Sequence, residues 1–580
     1  MGRARGQLWR TAAIAVTAGV VLTGCGGDDD EAVSDTSSVA GQHGSGEADA
    51  AGELTRGGTL VVGLEAESNA FEPGSAGPSG PSGRTVALTI FDPLVGRDDA
   101  GNFQPYLAES LEPNDDLTRW TLRLRPGVVF HDGTPLDAAS LKWNFDTLHF
   151  AEGRANRGEL VRFGLVGMEV VDDLTVEYVL DESNAAFPDL LWSDIGWPVS
   201  RVAYEADPEG FGSRPVGTGP FRFESWTHDD RLVVVRNDGY WMDGADGKAL
   251  PYLDRIEFRP IPDEESRVNS LAAGDVDVVH TLRASSVRRL LDMVEDGGYE
   301  GNVSVGNTGS VTVLNTLRPP LDDVRIRLAL SYANDQDAAA QVRGGLVPPS
   351  MGFFSPDSPW YSADVLPAYI GSGARDVDEA RRLVQEYVED PNRSDGRAPG
   401  DPVTVPYQCQ PDPALMEAAQ LIQQLYGEVG IELELEQLDQ ATMIQNVVGT
   451  ADSDPPFSGD YTAACFRAGG EGDPLTVLQS FYGPVASTTG NYTNFTHPDI
   501  DAALEQLRTS ADPETRYAAV EEITRITGEQ APLVWNVTSP ATVAHAAAVG
   551  GIFEWTLPGG ITGDGTSYAV ARFHQAYVGE

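Results

Sequence analysis

One stretch, from Trp120 to Leu148, constrains the fold more than any other part of the chain. From Trp120 onward apolar and polar residues alternate, which is typical of a half-buried strand. Pro126-Gly127 interrupts this strand, and Asp132-Gly133 turns the chain again after a second apolar run. Asp137 can then cap a helix. The apolar residues of that helix recur at helical spacing and are Leu141, Phe145 and Leu148. The pattern predicts a hairpin, a turn and a capped helix.

The residues within this stretch also follow a distinctive order, RPGVVFHDGTPLDAASLKWNFD at 125–146. They resemble the signature of the extracytoplasmic solute-binding proteins of family 5, the peptide- and nickel-type receptors of ABC importers. Other parts of the chain resemble the same family in the same order, so that the resemblance extends over about residues 56–580. The further matching segments are 91–112, Val216–Phe221, 251–279, 311–342 and 460–483.

The expected fold is α/β, because the residue pattern predicts strand–helix–strand units at 251–279 and 403–436. The resemblance implies two lobes, as in a periplasmic binding protein, with an extra subdomain inserted in lobe I. The expected division is a signal peptide at 1–24, a lipidated disordered tether at 25–55, lobe I at 56–95, the inserted subdomain at 96–214, lobe I at 215–309, lobe II at 310–536 and a return to lobe I at 537–580.

The N-terminus has the composition of an export signal. Three arginines precede a short apolar stretch, Thr11 to Thr23, that is too short to span a bilayer. The following residues, LTGC, resemble a bacterial lipobox, which implies that Cys25 becomes lipidated. Residues 26–55 contain almost no large apolar side chain and are expected to form a disordered tether. We therefore expect an exported protein, lipid-anchored at the outer face of the cell membrane or in the periplasm.

The charge of the chain restricts its partners. With 39 basic and 88 acidic residues the net charge is −49. Such a surface argues against nucleic acid or an anionic membrane face as a partner. The resemblance instead implies a small solute, with a peptide favoured, together with ABC permease and ATPase subunits. Contact with the membrane would be through the lipid anchor only, and the protein is expected to be a monomer.

No catalytic motif competes with a binding role. The sequence contains no GxSxG elbow, no HExxH motif and no P-loop. His131-Asp132 is predicted to belong to a surface hairpin turn rather than to a triad. His280 is expected to be structural, although a ligand role is possible. We expect no catalytic residues, no cofactor and no metal. Two alternatives stay open: an exported α/β hydrolase, and a solute sensor or scaffold without transport.

Two cysteines remain if Cys25 is lipidated. Cys409 ends one predicted strand and Cys465 follows another in the same expected sheet, where parallel neighbours can approach closely enough for a bridge. A disulfide is predicted, and two free buried thiols are the alternative.

The solute is expected between the lobes, at the carboxyl ends of strands. In family relatives a lobe II segment carries an aspartate that meets the amino group of a peptide. Here Asp473-Pro474 matches the family pattern, but Phe466 stands where tryptophan is usual and Gly470 occupies the position of the amine-binding aspartate. Peptide, opine, sugar and metal chelate therefore all remain open. The predicted ligand-binding residues, which should face one solvent-filled gap, are Glu67, Asn69, Phe71, Arg467, Glu471, Asp473, Tyr482 and Trp535.

Overall fold

A computed structural model describes the chain from residue 54 onward, with short gaps. The described residues are 54–73, 80–152, 154, 156–343, 345–356, 358–411, 413–449, 458–469, 472–484, 491–566 and 569–579. Cys25, Gly470 and Glu471 lie outside the described residues. The predictions of a signal peptide, a lipid anchor and most of the tether concern residues that are likewise outside them.

The structure contains strands and helices in alternation. The strands are β1 Thr59–Leu64, β2 Val95–Arg97, β3 Phe103–Pro105, β4 Ala108–Pro113, β5 Arg119–Leu124, β6 Leu165–Asp172, β7 Thr175–Leu180, β8 Phe221–Thr227, β9 Arg231–Arg236, β10 Arg255–Pro260, β11 Val278–Thr281, β12 Tyr299–Leu314, β13 Val403–Cys409, β14 Ile431–Gln437, β15 Ala463–Gly469, β16 Leu533–Ala546, β17 Val549–Gly550 and β18 Tyr577–Val578.

The helices are α1 Pro81–Ile90, α2 Ala138–Asn144, α3 Arg157–Arg162, α4 Phe187–Trp192, α5 Arg201–Ala206, α6 Glu264–Ala273, α7 Ala284–Glu295, α8 Val324–Ala333, α9 Gln336–Val342, α10 Val377–Val388, α11 Pro413–Gly427, α12 Gln440–Val448, α13 Pro474–Tyr482, α14 Pro498–Thr509 and α15 Pro513–Gln530. In the part of the chain that the structure describes, none of these helices is both long and apolar enough to cross a membrane.

One large sheet runs through both expected lobes. Its ten strands lie in the order β14-β13-β15-β12-β16-β11-β1-β10-β9-β8. We call β8, β9, β10, β1 and β11 the lobe I side of this sheet, and β13, β14 and β15 its lobe II side. The two sides meet at the long strands β12 and β16, which pair with each other in antiparallel orientation.

The long strands change register where the two sides meet. Gly301 pairs with Ala544 near β11, whereas Val311 pairs with Trp535 near β15, and the register shifts between Val305 and Val311. A β-bulge bends and twists the strand that carries it. The link between the two sides of the sheet is therefore a bent pair of strands rather than a loop.

The predicted strand–helix–strand unit at 251–279 is confirmed. β10 and β11 both pair in parallel with β1, and α6 connects them. Asp263 caps α6 by accepting a hydrogen bond from the Ser266 amide, and Gly274 ends the helix with φ of 76°. The similar unit at 403–436 is also present, because β13 and β14 pair in parallel and α11 lies between them in the chain. These units place the carboxyl ends of parallel strands at the same edge of the sheet.

The stretch 120–148 folds partly as predicted. β5 has Trp120, Leu122 and Leu124 buried, and Asp137 caps α2 through a reciprocal pair of hydrogen bonds with Ser140. A hairpin is present, but the segment after Pro126 does not pair with β5. β5 lies between β4 and β7 in a four-stranded sheet, β4-β5-β7-β6. Residues 128–130 pair instead with residues 134–136 around the Asp132-Gly133 turn.

The four-stranded sheet packs toward the lobe II side. One apolar cluster contains Leu190 and Leu191 of α4 as well as Leu475 and Leu478 of α13. A second apolar cluster includes side chains of β1 and β10, and a third includes side chains of β13 and β14. The segment 96–214, which we call the four-stranded region, therefore contacts both sides of the molecule. The domain boundaries stay predictions.

Candidate functional site

The loop after β1 is held by a buried histidine. The backbone N–H of Glu65 donates to Nε2 of His280 at 3.1 Å, and the Ser82 hydroxyl lies 3.2 Å from the same nitrogen. Burial lowers the pKa of His280 to about 3, so the ring is neutral and Nε2 can accept both bonds. His280 therefore positions the end of β1 and the start of α1.

The charges of three arginines act on the carboxylate of Glu65. Burial raises the pKa of Glu65, while the positive charges of Arg267, Arg467 and Arg283 act in the opposite direction. Arg467 lies on β15, so this cluster brings together groups from both sides of the large sheet. We call Glu65, Arg267, Arg283 and Arg467 the Glu65 cluster.

Two of these arginines also have structural contacts. Arg267 is buried and donates to the carbonyl of His280 at 2.9 Å and of Ile261 at 2.6 Å. Arg283 lies 3.2 Å from a carboxylate oxygen of Glu264, which is also 3.5 Å from Arg267. The contacts of Arg267 and Arg283 are therefore with residues of the lobe I side, whereas Arg467 belongs to β15 on the lobe II side.

The structure places the predicted lobe I residues differently from the prediction. Glu67 accepts hydrogen bonds from Trp226 Nε1 at 2.5 Å and from the Asp229 amide at 3.1 Å. Phe71 is only 1% exposed and packs on Trp226, so it belongs to the core and does not line a gap. Asn69 is exposed. The loop is anchored by these contacts, and Glu65, which was not predicted, is the loop residue whose pKa responds to the charge of Arg467.

Asp473 is likewise part of the fold. It caps α13 by accepting from the Leu475 amide, and Nη2 of Arg516 lies 2.6 and 2.5 Å from its two oxygens. Burial raises the pKa of Asp473 and the charge of Arg516 lowers it. With 9% exposure and two partners, Asp473 does not present a free carboxylate to a solvent-filled gap. The prediction of that placement is wrong.

Tyr482 and Trp535 lie in a cavity on the lobe II side. Their rings contact Phe353 at centroid distances of 5.7 and 4.8 Å, and both side chains are buried. The cavity is small, with a volume of about 30 Å³. Its aromatic lining also includes Phe354, Trp360, Tyr361 and Tyr369. These side chains do not face Glu67 or Phe71 across a gap, because the segments that line the cavity all belong to residues 351–535.

The four-stranded region touches lobe II beside Asp473. The Thr476 hydroxyl donates to Oδ2 of Asp189 at 2.8 Å, and a side chain at Gly472 would lie 2.6 Å from the same oxygen. Burial and the nearby charge of Asp473 raise the pKa of Asp189 to about 7. Sequence reasoning missed this contact, since Asp189 lies in a helix without any motif.

Cys409 and Cys465 are joined by a disulfide, as predicted, with their Cα atoms 5.1 Å apart. The bridge connects β13 to β15, which pair in parallel. It lies on the strand that carries Arg467 and fixes the start of that strand against its neighbour.

His131 and Asp132 have no catalytic geometry. Nε2 of His131 is 2.9 Å from the carbonyl of Gly219, and burial lowers the pKa of His131 to about 4. Asp132 accepts from the hydroxyls of Ser200 and Thr134. A side chain at Gly219 would lie 2.5 Å from the backbone of Ile90, so this turn requires glycine. Within the described residues, no group of three or more His, Cys, Asp or Glu side chains is placed to hold a metal.

The fold and this site together define a class of protein. Glu65, directly after β1, and Arg467, near the end of β15, both lie toward the carboxyl ends of strands of one α/β sheet, where ligands of such folds bind. Residues 102–489 match the family described as bacterial extracellular solute-binding proteins, family 5 Middle, which is more than half of the 580 residues. The protein belongs to this family.

Similar proteins agree with the assignment. The chain is 26% identical over 487 residues to the glutathione-binding protein GsiB of Salmonella paratyphi A, covering 82% of this chain and 88% of that protein. The periplasmic binding protein DppA of Helicobacter pylori, solved with the peptide STSA, has a TM-score of 0.70 and 20% identity, covering 91% of this chain and 99% of that one.

A third similar protein is AgaA of A. tumefaciens R10, solved with agropinic acid, with a TM-score of 0.70 and 24% identity over 90% of this chain and 99% of that one. These solved structures confirm the two-lobed periplasmic-binding-protein fold. The relatives are binding proteins, which points away from an enzyme.

Proposed function

We propose that the protein is the substrate-binding lipoprotein of an ABC importer. It captures an oligopeptide or a similar polar solute between the lobes and delivers it to a membrane permease, which an ATPase subunit drives. A lipid on Cys25 would hold the protein at the outer face of the cell membrane.

The observation that carries this proposal is the Glu65 cluster. Glu65 follows β1 on the lobe I side, and the charge of Arg467, on β15 of the lobe II side, acts to lower the pKa of that carboxyl. A zwitterionic solute would place its ammonium group at Glu65 and its carboxylate at Arg467, since arginine matches a carboxylate with two parallel hydrogen bonds. Binding would then draw the two sides of the sheet together, as in hinge closure.

The ligands of related proteins support a peptide-like solute. GsiB is a glutathione-binding protein, DppA was solved with the peptide STSA and AgaA with agropinic acid. All three molecules carry carboxylate groups and are polar. The same chemistry fits the Glu65 cluster.

A solute screen tests the proposal. Purified protein is mixed with pools of di- and tripeptides, opines, sugars and metal chelates, and thermal unfolding is followed. We expect a peptide pool to raise the melting temperature, since a ligand that binds only the folded state stabilises it. Mass spectrometry of the pool after incubation separates binding from hydrolysis. Cleaved peptide, or no stabilisation by any peptide pool, would contradict the proposal.

The lipid anchor has its own test. We expect Cys25→Ala to move the protein from the membrane fraction to the soluble fraction of the expressing cells. Cys465→Ala serves as the matched control, because it removes another cysteine without touching the N-terminus. A Cys25→Ala protein that stays with the membrane would exclude anchoring through this residue.

A further inference from the structure

The four-stranded region contacts lobe II at two places, of which the first is the start of α13. The Thr476 hydroxyl donates to Oδ2 of Asp189, on α4, at 2.8 Å. The two surfaces are close-packed, because a Cβ atom at Gly472 would lie 2.6 Å from the same oxygen. Leu190, which follows Asp189, belongs to the same apolar cluster as Leu475 of α13. The first turn of α13 therefore packs directly on α4.

The second place is the end of α14. The backbone N–H of Ala185 donates to the carbonyl of Arg508, and Nη1 of Arg508 donates to the carbonyl of Ser183, both at 2.8 Å. Both places lie on one stretch of the four-stranded region, residues 183–189, which we call the bridging segment. These hydrogen bonds connect the bridging segment to a second helix of lobe II.

The Asp473–Arg516 pair fixes the two helices of lobe II to each other. Asp473 caps the start of α13, and Nη2 of Arg516 lies 2.6 Å from one of its oxygens. Nη1 of the same arginine donates at 3.2 Å to the carbonyl of Ser510, the residue that follows α14. The start of α13 and the end of α14 therefore present a single surface to the bridging segment.

Asn184 anchors the bridging segment within the four-stranded region. Its side-chain amide donates to the carbonyl of Phe163 at 3.1 Å, and its backbone N–H donates to the carbonyl of Leu117, also at 3.1 Å. The bridging segment is therefore held from two sides, by its own region and by lobe II.

The four-stranded region is attached to the lobe I side. In the chain α1 precedes it and β8 follows it, and Arg154 pairs at 2.7 Å with Glu72, in the loop after β1. The chain passes from the lobe I side to lobe II through β12 and returns through β16, the bent pair of strands. A rotation of lobe II about this pair would therefore change the distance between the bridging segment and the helices α13 and α14.

From these contacts we infer that the bridging segment is a latch, a contact that holds lobe II in the closed position. Asp189, Thr476 and Arg508 are then positioning residues, which raise solute affinity without touching the solute. The apparent affinity of a solute falls with the fraction of protein in the binding-competent state, and the latch raises that fraction. This inference rests on the proposed function, in which the solute binds between the lobes, and adds residues outside the solute contacts.

Variants of the latch test its effect on binding. The probes are trialanine and glutathione, two peptides that differ in charge, and stopped-flow fluorescence gives their association and dissociation rates. We expect Thr476→Val and Arg508→Ala each to weaken binding of both peptides about threefold, and the double variant about tenfold, mainly through faster dissociation. Arg508→Lys keeps a donor for the Ser183 carbonyl and should recover part of the loss.

Two variants of lobe II helices serve as matched controls. In Thr509→Val the lost hydroxyl donates to the Glu505 carbonyl of its own helix. In Arg525→Ala the lost guanidinium pairs with Glu522 and Glu529 of its own helix. Neither control should change the binding of either peptide.

Hydrogen exchange separates a latch from a fixed contact. The Ala185 amide donates to lobe II, so its exchange reports how often the contact opens. We expect mass spectrometry to show slower exchange of the fragment that contains Ala185 when peptide is bound than when it is absent. The double variant without peptide should exchange faster than the wild type without peptide.

The possible outcomes lead to different conclusions. Wild-type binding by the double variant, or exchange at Ala185 that does not respond to bound peptide, would overturn the latch while the peptide function stands. A loss confined to one of the two peptides would also overturn it, because the residues would then touch the solute. If neither peptide binds the wild type, the peptide function fails and the inference fails with it. If the double variant does not fold, the single variants and the exchange of the wild type decide between the same results.

Discussion

Asp473 and Glu65 are both carboxylates beside arginine, yet the structure uses them in opposite ways. Asp473 is held by Arg516 inside lobe II and caps a helix of the same lobe. Glu65 is only half-buried and lies near arginines from both sides of the large sheet. Asp473 is therefore a structural residue of one side of the sheet, whereas Glu65, on which arginines of both sides act, is the proposed ligand contact.

The difference follows from where each pair is fixed. Arg516 also donates to the carbonyl of Ser510 at 3.2 Å, so it joins the end of α14 to the start of α13. A buried carboxylate with a full set of partners gains little from a ligand. The hydrogen bond to His280 uses the backbone N–H of Glu65 and not its carboxylate. The proposed function gives that carboxylate the contact with the solute.

The largest effect in this comparison is expected at Asp473. Asp473→Ala leaves the buried guanidinium of Arg516 without its carboxylate and removes the cap of α13, which should lower the free energy of unfolding by about 3–5 kcal/mol. Urea denaturation measures this change.

Asp473→Asn is the matched variant for that experiment. It keeps an oxygen that can accept from the Leu475 amide but removes the charge, so it should destabilise the protein less than alanine does. If Asp473→Ala unfolds at the same urea concentration as the wild type but no longer binds solute, Asp473 is a ligand-binding residue and its assignment to a structural role is wrong.

A smaller effect, on binding rather than on stability, is expected at the Glu65 cluster. Arg467→Ala and Glu65→Gln should each weaken binding of a zwitterionic peptide about tenfold or more, because each removes a charged partner of the solute. Their free energies of unfolding should stay within about 1 kcal/mol of the wild type, since Glu65 is only half-buried and Arg467 is exposed. Calorimetry and urea denaturation on the same samples separate these quantities.

The double variant Glu65→Gln/Arg467→Ala tests whether the two side chains bind the same solute. If Glu65 and Arg467 bind opposite ends of one solute, their effects on affinity should be nearly additive. If they mainly stabilise each other, the double variant should bind as the single variants do. The second result would place the solute elsewhere.

Much of the fold was predictable, because it depends on local patterns. The cap at Asp137, the unit β10–α6–β11 and the parallel pairing of β13 with β14 follow from alternation, capping residues and glycine. The pairing of β5 with β7 was not predictable, since β4 directly precedes β5 in the chain but β7 follows only after α2, α3 and β6. Local pattern specifies an element, whereas its neighbours are decided by tertiary packing.

The site was less predictable than the fold. The sequence predicts Arg467 in a loop that follows a strand, whereas the structure places it within β15. The sequence does not indicate that Arg516, 43 residues after Asp473 in the chain, pairs with Asp473 in the interior. The local sequence around a charged loop residue does not indicate whether the residue faces solvent or pairs with a distant residue. Only the structure therefore shows that Asp473 is buried.

The smallest effect concerns pH at the contact between the four-stranded region and lobe II. Asp189 faces the Thr476 hydroxyl and the charges of Asp473 and Arg97, and its pKa is raised from 3.8 to about 7. Below pH 4 the carboxyl is protonated in both the folded and the unfolded protein. Between pH 4 and 7 the folded protein binds more protons than the unfolded chain, so its stability falls as pH rises and levels off above 7.

Asp189→Asn isolates this contribution from other titrating groups such as Asp92, whose pKa is raised to about 6. The wild type should lose up to about 1.4 kcal/mol of unfolding free energy per pH unit through Asp189 alone, and the variant should lose correspondingly less. Thr476→Val removes the hydroxyl that donates to Asp189, so the ionised carboxylate has fewer donors. Near pH 7 the free energy of unfolding of this variant should therefore fall more steeply with pH than that of the wild type. Identical slopes in urea denaturation at pH 5, 6 and 7 for wild type and Asp189→Asn would show that this carboxyl does not titrate in that range. The contact would then, like the Asp473 pair, be a fixed part of the fold.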